Sequence, residues 1–455
     1  MGSLPSSKEQ VHVVIGSTHR FSHLEKAKVI GAHLIKRGYP VTILAGPSVR
    51  DEVESIGASF APMQGRAGGS PTKPEYNHPP PPWAKEMEVS ALKNFFIGPI
   101  LDEYKSVQDV LKTLRQAKGG DQTKVVYMDD IICGAMLPVY FGAPGAIKPN
   151  GVIKVGTTPI PHESAGTATW TLGIPSSSES TNPRSGVGDL WETKKEIYTS
   201  EDIQVHFENI LREMGVPVAD KPGSLPRFMH SQGTCCDAYL ALSIPEFECP
   251  RSDAPESIRF VGALPTVGNV PSDLPEWWDE VIHAQGPEKK PIVVVSQGAV
   301  NNDPTDLILP TIEALKEENV TVIATLVRGP KITVDLPSNV KLAQFIPFDV
   351  LLQYTDVLVS NGGFGTVQMA LSRGVPMVLA GVYLDKYYTN SRAASIGAAI
   401  NLACERVEPT AVKKAVCDIL SDDKRKERCL EIKDRYAEYN ALDQIVDFVD
   451  ALAEK

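Results

Sequence analysis

Two separate sets of short β-branched strands, each strand followed by a helical pattern, predict an α/β protein with two parallel-sheet domains. The strand runs are continuously apolar, as expected of strands covered on both faces. A stretch rich in Pro at 265–290, carrying Trp277 and Trp278, parts the two sets. With 455 residues and 42% hydrophobic content, the chain can bury two ordinary cores.

In the first set, residues 11–15 read as a buried strand bounded by Gly16. A helix is expected over 24–36, stopped by Gly38, and a second strand over 41–45. This strand, helix and strand opening implies a parallel pair. Residues 62–86 hold Gly65, Gly68, Gly69 and the run Pro79 to Pro82. They read either as a surface loop or as a lid or pocket wall. Helices follow over 84–96 and 100–116. A strand over 124–128 then ends in Asp129 and Asp130, at the end of a parallel strand where α/β folds place their chemistry. Residues 161–195 form an irregular excursion with Trp170 and Trp191. A helix over 200–213, a buried return over 235–244 and a strand over 258–262 complete the set.

The second set is cleaner. Strands are expected over 292–295, 320–326, 340–345, 357–359 and 375–379. Helices fall over 307–316, to about 372, from 390 to 396, and over 409–420 and 424–451. The last is long enough to bend or split and to reach back across the first domain. The expected boundaries are 1–265, a linker 266–288, a second domain 289–430 and a terminal helix 431–455.

Composition narrows the function. A net charge of -11 without a basic stripe argues against a nucleic-acid partner. The seven cysteines are scattered, with no zinc spacing and no CxxC, which fits reduced thiols. No apolar run is long enough to span a bilayer, and the start MGSLPSSKEQ lacks a signal-peptide core. A cytoplasmic protein without integral membrane association is expected, monomeric or weakly dimeric. Gly2 after Met1 is only a weak myristoylation signal.

Residues 359–368, VSNGGFGTVQ, carry the strongest chemical signal. A strand ends, the chain turns on Gly362 and Gly363, and a helix begins. Such a turn leaves amide N–H groups unspent and aims a helix dipole outward, so a diphosphate fits there. The same pattern also fits a plain strand–helix turn with no ligand. It matches neither a dinucleotide nor a P-loop consensus. Further on, Asp385 and Lys386 follow the strand over 375–379. A carboxylate there is placed to accept from sugar hydroxyls, or simply to cap a helix.

These residues resemble the donor-binding signature of the UDP-glycosyltransferase superfamily, the nucleotide-sugar-dependent family 1 glycosyltransferases. The resemblance covers most of the chain, densely in its second half. It implies a GT-B fold, two Rossmann-like domains facing across a cleft, with acceptor bound by the first and nucleotide-sugar by the second. Phe345-Ile346-Pro347 matches the strand end near the nucleobase. Asn361, Gly362, Gly363, Gly365 and Thr366 match the diphosphate segment, Gly298 an early loop glycine, and Asp385-Lys386 the pair at the sugar. Three positions depart from the pattern. Asn361 stands for the phosphate-binding His, Gln368 for the Glu at the ribose, and Lys386 for a Gln. They keep a diphosphate site and leave the sugar and the base open.

The resemblance also implies a His base near the start of the first helix, supported by an Asp from a later strand. His23 is the expected base and His19 its rival. Asp129 is the preferred partner and Asp130 its rival. Neutral imidazole suits proton removal from a hydroxyl near pH 7. The implied reaction is an inverting displacement on a UDP-sugar, UDP-glucose by the habit of the family, with no cofactor and no metal. Phe21, Trp83, Phe95, Phe96 and Trp170 are candidates for a pocket taking a lipophilic or aromatic alcohol, or ordinary core residues. Flavonoids, polyketides, sterols and macrolides all fit such a pocket. Two alternatives remain: a catalytically silent sugar-nucleotide or lipid-binding protein of the same fold, and an epimerase acting on its own sugar nucleotide. A hydrolase triad is disfavoured because no GxSxG elbow occurs.

Overall fold

The computed structural model describes residues 10–18, 21–69, 85–117, 122–163, 188–265, 274–284, 289–298, 303–326, 332 and 335–455, with 21–22 and 188–192 described by backbone alone. The first sheet comprises β1 (Val11–Gly16), β2 (Val41–Ala45), β3 (Ser59–Pro62), β4 (Lys124–Asp130), β5 (Gly151–Gly156), β6 (Ala238–Ala241) and β7 (Ile258–Phe260). The second comprises β8 (Ile292–Ser296), β9 (Thr321–Thr325), β10 (Val340–Ala343), β11 (Val357–Ser360), β12 (Met377–Leu379) and β13 (Ala399–Asn401). All pairings are parallel, in the orders β3-β2-β1-β4-β5-β6-β7 and β10-β9-β8-β11-β12-β13.

Successive residues along a strand enter different cores, which is why these strands read as unbroken apolar runs. In β1, Val13 and Ile15 join one cluster and Val14 another. In β8, Val294 faces the layer that Val13 and Ile15 share, while Val293 and Val295 face the other side. The two domains therefore meet through one continuous apolar layer.

Several elements differ from expectation. β3, β5 and β13 are additional strands. β5 was obscured by Lys154 at its centre, a side chain with no exposure at all. The first helix starts at Phe21, not residue 24. The stretch expected over 424–451 divides into Asp423–Tyr436 and Ala441–Ala453, because Asn440 begins a new helix by accepting from the Asp443 N–H. The second of these lies on the first domain. Asp443 receives His33 at 3.2 Å, Asp450 receives the Tyr39 hydroxyl, and Leu452 rests where Gly151 leaves no room for a side chain.

Behind the end of β4, Glu103 is buried and its Oε2 accepts from the Gly134 N–H at 2.7 Å. Burial pushes its carboxyl up to about 8; Asp129 adds to the rise, and the Gly134 bond and Lys154 oppose it. Between the ordinary carboxylate range and about pH 8, the folded chain holds a proton that the unfolded chain has released, so stability falls as pH rises through that window. Glu103→Gln removes this dependence. Denaturant unfolding at pH 5 and pH 8 is expected to show the variant gaining about 1–3 kcal/mol on wild type over that interval. Parallel profiles would show that Glu103 is ionised throughout.

Candidate active site

Each sheet reverses its strand order once, at β1/β4 and at β8/β11, and crevices open beyond the strand ends at such points. In the first domain β1 feeds the helix Phe21–Lys36, whose third residue is His23, and β4 delivers Asp129 and Asp130 beside it. His23 Nδ1 lies 2.6 Å from Asp130 Oδ2, with both side chains largely buried. Asp130 Oδ1 accepts from the Ile132 N–H at 2.9 Å. Burial works against the Asp130 charge, but His23, the Ile132 amide and Lys154 outweigh it and hold the carboxyl below its ordinary value. An ionised carboxylate only accepts, so Nδ1 donates and Nε2 is left as the basic nitrogen.

The expected partner, Asp129, is corrected by this geometry. Adjacent strand residues face opposite ways. Asp129 turns to the other side of the sheet, where it pairs with Lys154 at 2.7 Å with both side chains fully buried. His19 lies outside the described residues.

In the second domain β11 ends at Ser360 and the helix Phe364–Arg373 begins at Gly363, its N-cap. Gly362 has φ 80°, and a Cβ there would stand 1.7 Å from Asn390 Oδ1, so the turn admits no side chain. Asn361 is buried, and its amide donates to the Gln297 carbonyl at the end of β8. Gly298, with φ 77°, lies against Asn361. The amides of Phe364, Gly365 and Thr366 occupy the first turn, where a helix has no internal acceptor for them. Ile346 is buried in the core, so only its main chain is available to a base, while the neighbouring residue Phe345 is 52% exposed. Gln368 is a second correction. It is buried beneath the helix Asp423–Tyr436 and its Oε1 accepts from the Tyr436 hydroxyl, which turns it away from the ribose role.

Asp385 caps the helix Lys386–Ser395 by position, without a side-chain cap bond, and follows Leu384 at φ 53°. A left-handed backbone at a bulky residue is strained. That strain is held from the other domain, for Lys194 Nζ donates to the Leu384 carbonyl at 3.2 Å. Lys194 also pairs with Glu88 at 2.8 Å, and the Tyr198 hydroxyl donates to the same carboxylate at 2.6 Å. Burial raises the Asp385 carboxyl, and Lys386, His23 and Lys194 pull against it. The Lys386 ammonium stands 5.8 Å over the Tyr383 ring. Arg392 bonds the Phe247 carbonyl at 2.8 Å, and the Tyr388 hydroxyl bonds Glu248 at 2.9 Å, closing the floor between the domains. Lys26, Glu88 and Lys194 were not singled out by sequence reasoning, for charged residues on amphipathic helices read as solvated faces.

Of the aromatic candidates, Phe95 and Phe96 lie half-buried in the π-helical segment Leu92–Ile97. Trp83 and Trp170 lie outside the described residues, and Phe21 is described by backbone alone. Among the described residues, no group of His, Cys, Asp or Glu is placed to hold a metal, and no helix is long and apolar enough to cross a membrane.

Two parallel-sheet domains, with an imidazole–carboxylate pair at one switch point and a glycine turn into a helix at the other, define a GT-B glycosyltransferase. A family model described as "Erythromycin biosynthesis protein CIII-like, C-terminal domain" matches residues 307–452. The chain is 85% identical to UDP-glucosyltransferase avaP of Aspergillus versicolor over 100% of both chains. It is 39% identical to UDP-glycosyltransferase 2 of Phaeomoniella chlamydospora, covering 98% of this chain and 97% of that one. The crystal structure of the kitacinnamycin glycotransferase shares the fold, with a TM-score of 0.64 and 19% identity over 97% of this chain and 98% of that chain. The chain belongs to the UDP-glycosyltransferase superfamily and is a UDP-sugar-dependent glycosyltransferase.

Gly362→Ala puts a methyl into Asn390 at a left-handed backbone position. It is expected to cost about 2–4 kcal/mol in denaturant unfolding. A loss below about 0.5 kcal/mol would mean that the turn relaxes freely.

Proposed function

We propose that the protein is an inverting glucosyltransferase acting on a hydroxyl of a small lipophilic or aromatic acceptor, with His23 as general base. The carrying observation is the 2.6 Å bond from His23 to a buried carboxylate, which leaves Nε2 basic on the cleft side of the first domain. Nε2 takes the acceptor hydroxyl proton, the oxygen attacks the anomeric carbon, and the bond to the diphosphate breaks on the opposite face. Asp130 supports the imidazolium that forms. The first-turn amides of Phe364–Arg373 receive the charge growing on the leaving UDP. Gly298, Asn361, Gly363 and Thr366 frame that pocket, and Asp385 faces the sugar.

Glucose is favoured by the name of the relative at 85% identity, a UDP-glucosyltransferase. A lipophilic or aromatic acceptor is favoured by the half-buried Phe95 and Phe96 of the first domain.

Mass-spectrometric screening of mixed UDP-sugars against phenols, polyketides and sterols, with the anomeric configuration of the product read by NMR, is expected to yield a β-glucoside from an α-linked donor. Retained configuration, or donor consumption without acceptor, would overturn the mechanism. His23→Ala is expected to bind UDP within about threefold of wild type while kcat falls about 1,000-fold. Asp130→Asn should lose about 100-fold or more in kcat at little cost in stability. Asp129→Asn should do the reverse, losing about 3 kcal/mol of stability by orphaning Lys154. Equal kinetic losses for the two Asp variants would contradict the separation of their roles.

A further inference from the structure

We propose that Lys26, from the first domain, supplies the positive charge that grips the donor diphosphate and receives the leaving group. This rests on the donor-site reading above and adds to it a residue that the glycine turn does not contain.

The need is visible in the sequence. Residues 357–368, VLVSNGGFGTVQ, hold no cation. Asn361 carries no charge, and its amide is already engaged by the Gln297 carbonyl. A helix N-terminus offers only about half a unit charge, against the two to three negative charges of a departing UDP.

The structure brings a cation to that turn from across the cleft. Lys26 lies one helical turn beyond His23, on the same face of Phe21–Lys36. Its Nζ is 3.3 Å, and its Cε 3.5 Å, from where a Cβ on Gly365 would stand. Gly365 is in the first turn of Phe364–Arg373 and is not among the residues with positive φ. Its backbone does not call for glycine, and glycine in a helix costs about 0.5–1 kcal/mol relative to alanine. The space above it is what glycine preserves, and the Lys26 ammonium fills that space. A diphosphate on the first-turn amides comes within bonding reach of Nζ.

Burial pulls the Lys26 ammonium below its ordinary value, and the carboxylates of Asp130 and Asp385 oppose that fall. One of those carboxylates supports the base and the other faces the sugar, so the ammonium lies between the two ends of the reaction. When the anomeric carbon–oxygen bond breaks, its electron pair stays on the diphosphate oxygen. Lys26 pairs with that charge and keeps its own proton. Lys386 is less suited, since its stem packs on Gly381 and its ammonium lies over Tyr383.

Lys26→Met and Lys26→Arg test this in the full-length protein, with UDP measured by calorimetry and uridine by ligand-observed NMR. The Met variant is expected to bind UDP about 10- to 100-fold more weakly and uridine within twofold of wild type. The Arg variant should bind UDP within about fivefold of wild type, which separates charge from packing. Unchanged UDP affinity in Lys26→Met, or an equal loss for UDP and uridine, would overturn the proposal. Wild-type protein that held UDP no more tightly than uridine would overturn the donor-site reading itself, and this proposal with it.

Discussion

An ionised carboxylate can only accept, and from that constraint the chemistry of the first domain follows. Because Asp130 takes the proton of His23 Nδ1 at 2.6 Å, the tautomer is set, the ring plane is set, and Nε2 is the one basic position left. The bond exists because β1 and β4 are neighbours at the point where strand order reverses, with Gly16 opposite Asp129 in register. The helix after β1 and the end of β4 must then converge beyond the sheet. The neighbouring Asp129–Lys154 pair lies on the opposite face of the sheet and is fully buried. Breaking it would leave an uncompensated charge in the core, so it anchors the strand end whose next residue bonds His23.

Charge is divided between the domains. The second domain presents amides and a helix dipole, with its Asn361 amide turned inward onto the Gln297 carbonyl. The first domain presents His23, Lys26 and Lys194, and two of these reach elements of the second: Lys26 the Gly365 turn, and Lys194 the Leu384 carbonyl. The strained Leu384 backbone is held partly by a cation belonging to the other domain.

The fold was legible where strands are buried on both faces, because β-branched runs such as IVVV and VLV have no other stable use. It was less legible at β5, where Lys154 breaks the apolar pattern yet is buried by an ion pair formed with a residue 25 positions away. The site divided in the same way. Glycines and a helix start announce the phosphate turn locally. The choice between Asp129 and Asp130 depends on which sheet face looks into the cleft, and alternation shows only that they differ. Gln368 failed for a related reason: the face of Phe364–Arg373 that carries it is covered by a helix more than fifty residues on. Lys26 was hidden by three residues of helix boundary. With the helix begun at 24, His23 precedes it; begun at Phe21, His23 and Lys26 share a face.

The chain's return to the first domain completes this logic. After Asp423–Tyr436 packs on the second domain, the break at Asn440 lets Ala441–Ala453 settle on β4, β5 and the first helix. Its contacts fall on His33 and Tyr39, at the far end of the helix that carries His23 and Lys26, and on Gly151, at the start of β5. The chain crosses between domains twice, once before β8 and once before Ala441, and the second crossing lies against Glu246 and Gly262, which follow the carboxyl ends of β6 and β7. The helix Phe21–Lys36 is thus held at its rear by Ala441–Ala453, while its first turns carry His23 and Lys26 toward Asp130 and Gly365.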